Sequence, residues 1–169
     1  MIALVTGASS GIGEATARLL ARKPQTRLVL VARREEKLAS LADELGGATV
    51  IAADLTDPEA PARIAAVVEA EHGRLDVLVN NAGAAWRAPF ADGGWENVHR
   101  HMELNFEAQV RLTEALLPLL RRSAPSAIVN VASTAGRVAR GGTGAYSAAK
   151  FAFAGWTDAL HLEEAAYGV

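Results

Sequence analysis

At 169 residues, 50% of them apolar and 21% charged, the chain is long enough for one globular domain with a sizeable core and cramped for two. Its net charge is −2, and the basic pairs in "ARR" and "LRR" form no stripe, so there is no footprint for nucleic acid. Cysteine is absent, which excludes disulfides and thiolate metal sites, and no apolar run approaches the roughly 20 residues of a membrane span.

Met1 leads straight into "IALVTGASSGIG" with no charged region or cleavage site, so a cytoplasmic protein is the expectation. "IALVT" at 2–6 reads as a buried strand, and helical periodicity runs from Gly11 to Arg22. A second strand, "RLVLVA" at 27–32, precedes a helix over Glu35–Leu45, which Gly46 should stop. A third, "TVIAA" at 49–53, precedes a helix over Pro58–His72, with Asp57 as its cap, Pro58 at its first position and Gly73 at its end. "DVLVN" at 76–80 is followed by a long helix from about Glu96 to Arg121, and "AIVNVA" at 127–132 by a helix over Ala145–Tyr167 that closes on Gly168. Strict alternation of strand and helix requires right-handed crossovers. The expected fold is α/β, a doubly wound Rossmann-like parallel sheet of five strands with helices on both faces, built as one domain over residues 1–169.

"TGASSGIGEA" stands where such a fold binds phosphates, between the first strand and first helix. Its spacing is Gly-x3-Gly-x-Gly, not the common Gly-x-Gly-x-x-Gly, so an ordinary glycine turn is the competing explanation; the flanking strand and helix favour a dinucleotide. After the second strand Ala32 occupies the place of a ribose-binding acid, and Arg33 and Arg34 follow. That pattern favours NADP(H) over NAD(H), although Glu35 and Glu36 stand close enough to neutralise either arginine.

Further on, Tyr146 and Lys150 lie four apart and share a helix face, a spacing that most often marks solvated surface. Asn105 inside a helix is compatible with a solvent-facing position, and Ser133 at a strand end with a local turn bond. His99 and His101, two apart, read as solvated helix residues and not as a metal pair. Trp86, Phe90 and Trp95 either line a pocket mouth or pack beneath a loop; Arg137 and Arg140 either meet an acidic substrate or are solvated.

Taken together, "TGASSGIG" at 6–13, "NNAG" at 80–83, Asn105 in "MELNFEAQ", Ser133 in "IVNVAST" and "YSAAK" at 146–150 resemble the short-chain dehydrogenase/reductase family, in order and across the whole chain. The resemblance implies an NADP(H)-dependent oxidoreductase that interconverts a small-molecule carbonyl and a secondary alcohol. It makes Asn105, Ser133, Tyr146 and Lys150 the catalytic set. It implies cofactor contacts from Gly7, Ser9, Ser10, Gly11, Ile12 and Gly13, from Arg33, Arg34, Asp54 and Leu55, from Asn81, Ala82 and Gly83, and from Tyr146 and Lys150. Carbonyl reduction needs a proton for the developing alkoxide; a free tyrosine, with a pKa of about 10, needs a cation beside it to serve near neutral pH. In the family the lysine also bonds the nicotinamide ribose, the serine holds the substrate oxygen, and the asparagine places a water leading to the lysine.

The family usually continues with another strand, a substrate-covering loop and a last strand. A shortened, non-catalytic dinucleotide-binding or partner-binding relative is therefore the alternative. On that basis "AIVNVA" is expected at a sheet edge, and the 169 residues alone are expected to bind NADP(H) weakly, to aggregate and to turn over poorly. A homodimer is expected through the two long helices, with Leu112, Leu116, Phe151 and Phe153 as spare apolar surface.

Overall fold

The structure, a computed structural model, describes residues 1–169. Five parallel strands, β1 (Ile2–Thr6), β2 (Arg27–Ala32), β3 (Thr49–Ala52), β4 (Val77–Asn80) and β5 (Ala127–Asn130), form one sheet in the order β3-β2-β1-β4-β5. Six α-helices alternate with them: α1 (Gly11–Ala21), α2 (Glu35–Glu44), α3 (Ala60–His72), α4 (Phe90–Met102), α5 (Ala108–Arg122) and α6 (Gly144–Glu164). This is the expected Rossmann-like arrangement, with the order of strands reversing at β1.

Side-chain alternation along β1 explains its unbroken apolar run. Ile2 and Leu4 point to one face, where they join Val29, Val31 and Leu78 beneath Ile64 of α3 and Leu112 and Leu116 of α5. Ala3 and Val5 point to the other, where they join Leu28, Leu30 and Val79 beneath Ala17 of α1 and Leu38 and Leu41 of α2. With both faces buried, no polar residue is admitted before Thr6. The edge strand β5 differs: it pairs only with β4, and Val129 is 47% exposed. No helix is long and apolar enough to cross a membrane.

Two local expectations need correction. Helix α3 begins at Ala60, not Pro58, because Asp57 closes a turn first: its carboxylate accepts the Glu59 N–H at 2.9 Å and its carbonyl the Ala60 N–H at 3.1 Å. Pro61 then takes the first-turn position, and Gly73, at φ 64°, ends the helix as expected. The long helix expected from Glu96 to Arg121 is not uniform. It starts earlier, carries Gly94 in a non-helical conformation, and widens into a π-helical turn at Glu103–Glu107 before α5.

The apolar surface assigned to a homodimer is also revised. Leu112, Leu116 and Phe153 are fully buried within the chain, leaving only Phe151 of the four exposed. The outward positions of α5 are Glu107 of the preceding turn, Glu114 and Pro118, whereas α6 exposes an apolar line of Ala148, Phe151, Gly155, Ala159 and Leu162.

Candidate functional site

The carboxyl ends of the strands open onto one cleft of about 480 Å³, within the size range of small-molecule sites. One end is built mostly from backbone. A Cβ on Gly7, at φ 65°, would lie 2.8 Å from Asn81 Nδ2, and a Cβ on Gly13 would strike the Gly7 carbonyl, so both glycines let the loop lie flat on the segment after β4. Gly11, at φ 58°, has nothing within 4 Å of its would-be Cβ: its left-handed backbone faces open space. Ser10, at the N-cap of α1, makes no side-chain cap bond, so the first N–H groups of the helix have no side-chain acceptor. Ser9, Ser10 and Ile12 line the cleft beside them.

Arg34 folds over this loop, donating to Ser9 Oγ at 2.9 Å, the Ser9 carbonyl at 3.1 Å and Ser10 Oγ at 2.8 Å. Arg33 stays 72% exposed, and the acid facing it, at 3.7 Å, is Asp54; neither Glu35 nor Glu36 pairs with it. Asp54 Oδ1 is held by the N–H and hydroxyl of Thr56, at 3.0 and 2.8 Å, and Leu55 beside it is buried.

The other end is built from side chains. Residues after β4 have no regular structure, so their polar backbone needs individual partners. Thr6 Oγ1 accepts the N–H groups of Asn81 and Ala82, both at 2.9 Å, and donates to the Val79 carbonyl at 3.2 Å; Asn81 Nδ2 returns to the Thr6 carbonyl at 2.8 Å. On the other side, one helix face meets every second residue of the strand and loop. Thr113 Oγ1 accepts from Asn80 Nδ2 at 2.9 Å, Gln109 Nε2 donates to the Ala82 carbonyl at 2.7 Å, Asn105 bonds the Ala84 N–H and carbonyl at 3.1 and 3.0 Å, and His101 Nε2 accepts the Trp86 N–H at 2.9 Å. The match is geometric: four residues of helix rise about 6 Å and two of extended chain about 6.6 Å, so the two repeats keep step. Asn80 continues the network to Asn130 at 2.9 Å, and Asn130 to Thr157 of α6 at 2.8 Å.

These contacts correct two expectations. Asn105 is fully buried and not solvent-facing; a Cβ on Gly83 would come within 2.6 Å of its Oδ1. His101 is likewise buried, while His99 is exposed and stacked on Trp95.

On α6, Tyr146 is half-buried in the cleft wall and Lys150 is 5% exposed one turn on. Lys150 Nζ donates to the Val131 carbonyl at 2.9 Å and lies 6.0 Å from the Tyr146 ring centroid; burial pushes its pKa below the ordinary lysine value. Ser133 makes the local bond expected of a turn serine, accepting the Ala135 N–H at 3.1 Å. It stands next to the cleft wall, which Val131 and Ala132 form. The structure thus gathers Asn105, Tyr146 and Lys150 at one end, with Ser133 at its margin. Of the three aromatics, Trp86 packs edge-on to His101, whereas Phe90 and Trp95 are exposed and outside the cleft. Arg137 lies at the surface, 3.7 Å from Asp158.

Sequence reasoning missed Thr6, Gln109 and His101. Thr6 is hidden among strand formers; His101 and Gln109 stand four residues either side of Asn105, a spacing that would have found both.

The profile of the short chain dehydrogenase family matches residues 1–169. Oxidoreductase UcpA of Salmonella typhimurium is 38% identical over 99% of this chain and 65% of its own length. A short-chain dehydrogenase structure from Streptomyces avermitilis superposes with a TM-score of 0.92 at 38% identity, covering 99% of this chain and 62% of that one. L-sorbose reductase from Gluconobacter frateurii, complexed with NADPH and L-sorbose, superposes at 0.93 with 31% identity, covering 99% and 65%. The chain therefore spans just under two thirds of the length of each.

Proposed function

The chain belongs to the short-chain dehydrogenase family, and from that premise we propose that it is an NADP(H)-dependent oxidoreductase interconverting a carbonyl and a secondary alcohol. The observation that carries this is a single cleft joining an uncapped helix N-terminus, flanked by two arginines, to a tyrosine one turn from a buried lysine. The residues fit a dinucleotide: Gly7 to Gly13 leave backbone N–H groups and open space for a pyrophosphate, and Asp54 and Leu55 border the adenine side. Arg33 and Arg34, with no acid at Ala32, suit a 2′-phosphate, and Asn81, Ala82, Gly83, Tyr146 and Lys150 line the nicotinamide side. Bound there, the cofactor supplies or accepts the hydride.

The protein's part is the proton. Tyr146 gives its hydroxyl proton to the developing alkoxide, or takes one from an alcohol in the reverse direction, and the Lys150 ammonium stabilises the phenolate left behind. Because Ser133 Oγ accepts from a backbone N–H, its own proton is free to hold the substrate oxygen. The Asn105 amide is committed to Ala84 and His101, so a water leading to Lys150 would be held by backbone atoms of the π turn. Assembly as a homodimer is supported by the exposed apolar line on α6, and light scattering at the mass of one chain would contradict it. Mixing the protein with NADPH and a panel of ketones should give ketone-dependent loss of reduced-nicotinamide absorbance. Cofactor binding without turnover would favour the non-catalytic alternative instead.

A further inference from the structure

The scheme above makes no use of His101, although its imidazole is fully buried beside the chemistry. Both ring nitrogens are occupied by backbone. Nε2 lies 2.9 Å from the Trp86 nitrogen and Nδ1 2.6 Å from the Asn97 carbonyl oxygen. A backbone N–H only donates and a carbonyl only accepts, so Nε2 carries a lone pair and Nδ1 the proton. The ring stands edge-on to Trp86, with centroids 5.0 Å apart, and to Tyr146, with centroids 6.0 Å apart. Its residue's own carbonyl accepts from Asn105 Nδ2 at 3.2 Å. Trp86 is covered on another side by Arg100, 4.6 Å from its centroid, whose guanidinium is held by Asn97 Oδ1 at 2.7 and 2.9 Å. One ring therefore ties together the π turn, the irregular segment Ala84–Trp86 and the phenol proposed to carry the proton. Ala84 and Ala85 form part of the cleft wall.

We propose that His101, held as the neutral Nδ1–H tautomer between Asn97 and Trp86, is a positioning residue that fixes the Ala84–Trp86 wall and the Tyr146 ring for the reaction. This role rests on the oxidoreductase assignment of the cleft. An apolar residue would fill the same volume, but it would leave the Trp86 N–H buried without an acceptor and let the segment shift. Reacting groups displaced by about 1 Å lose up to about a hundredfold in rate, so a small shift is enough to matter.

Two measurements on the full chain test this. Long-range proton–nitrogen correlation of the imidazoles should give His101 as Nδ1–H with an unprotonated Nε2, with a nuclear Overhauser contact to the Tyr146 ring; an Nε2–H form, or no contact, overturns the clamp. In steady-state ketone reduction, His101→Leu should lower kcat about tenfold or more while the NADPH Kd stays within about twofold. His101→Gln, which retains an acceptor for Trp86, should recover most of that loss. Unchanged kcat in His101→Leu, or equal losses in both variants, overturns the positioning role. Should His101→Leu not fold, His101→Phe replaces it, since it keeps a ring and lacks the acceptor. A wild type without turnover counts against the oxidoreductase assignment, whereas the tautomer and ring contact still decide the clamp.

Discussion

The loop end of the cleft is made by residues 6–13 and the turns after β2 and β3, over strands whose faces are covered by α1 and α2 on one side and α3 and α5 on the other. The helix end is made by side chains from three distant segments, beside an edge strand whose Val129 is 47% exposed. At the first, glycine and helix geometry present the backbone, so contiguous sequence suffices. At the second, each wall residue depends on a partner far along the chain, as Asn81 does on Thr6. Binding at one end and chemistry at the other should therefore fail separately.

The largest separation is expected from Tyr146→Phe. Deleting the proton donor should lower kcat by about 10²- to 10⁴-fold, while NADPH titrates as in the wild type; full turnover by this variant would take the tyrosine out of the chemistry. The converse is the double change Arg33→Ala with Arg34→Ala. It should weaken NADPH about 10²-fold and NADH little, because each lost contact is a charge-assisted bond to phosphate; equal weakening of both cofactors would mean the arginines merely shape the loop. Smaller is Gly13→Ala, whose new Cβ meets the Gly7 carbonyl. Backbone cannot swing aside as a side chain can, so a loss of about 1–3 kcal/mol is expected in urea melts, and an unchanged midpoint would show that the loop yields.

The mildest effect is of pH. The Arg121 guanidinium, bonded to both Glu164 oxygens at 2.6 and 2.7 Å, holds that carboxyl below its ordinary value of 4.5. A depressed carboxyl contributes stability that is present above the unfolded pKa and lost as pH falls through the folded one. This pair joins the end of α5 to the end of α6, so below about pH 4.5 amide exchange should accelerate there before it does around Gly7 to Gly13. Glu164→Gln should remove that pH dependence, and simultaneous opening of both regions would contradict it.

The same contrast governs what the sequence discloses. The strands are legible because burial on both faces forces runs such as "RLVLVA", and the glycine loop because its geometry is local. Asp57 misleads because an Asp-Pro pair caps a turn as readily as a helix, and the choice depends on where Ala60 packs. The π turn is invisible because its widening follows from side-chain bonds to the segment after β4, not from the periodicity of "HMELNFEAQ". Leu112, Leu116 and Phe153 looked like spare surface since amphipathicity alone does not say which neighbour a helix face covers.

Central to the account is that one cleft holds a dinucleotide with its phosphates on the glycine loop and its 2′-phosphate toward the arginines. The direct test is calorimetric titration of the full chain with NADPH and with NADH, paired with amide shifts from the same samples. One site should appear, NADPH should bind more tightly, and shifts should fall on Gly11, Ile12, Gly13 and Arg34 at one end and Asn81, Ala82 and Gly83 at the other. Equal or tighter binding of NADH, or shifts confined to one end of the cleft, would contradict it.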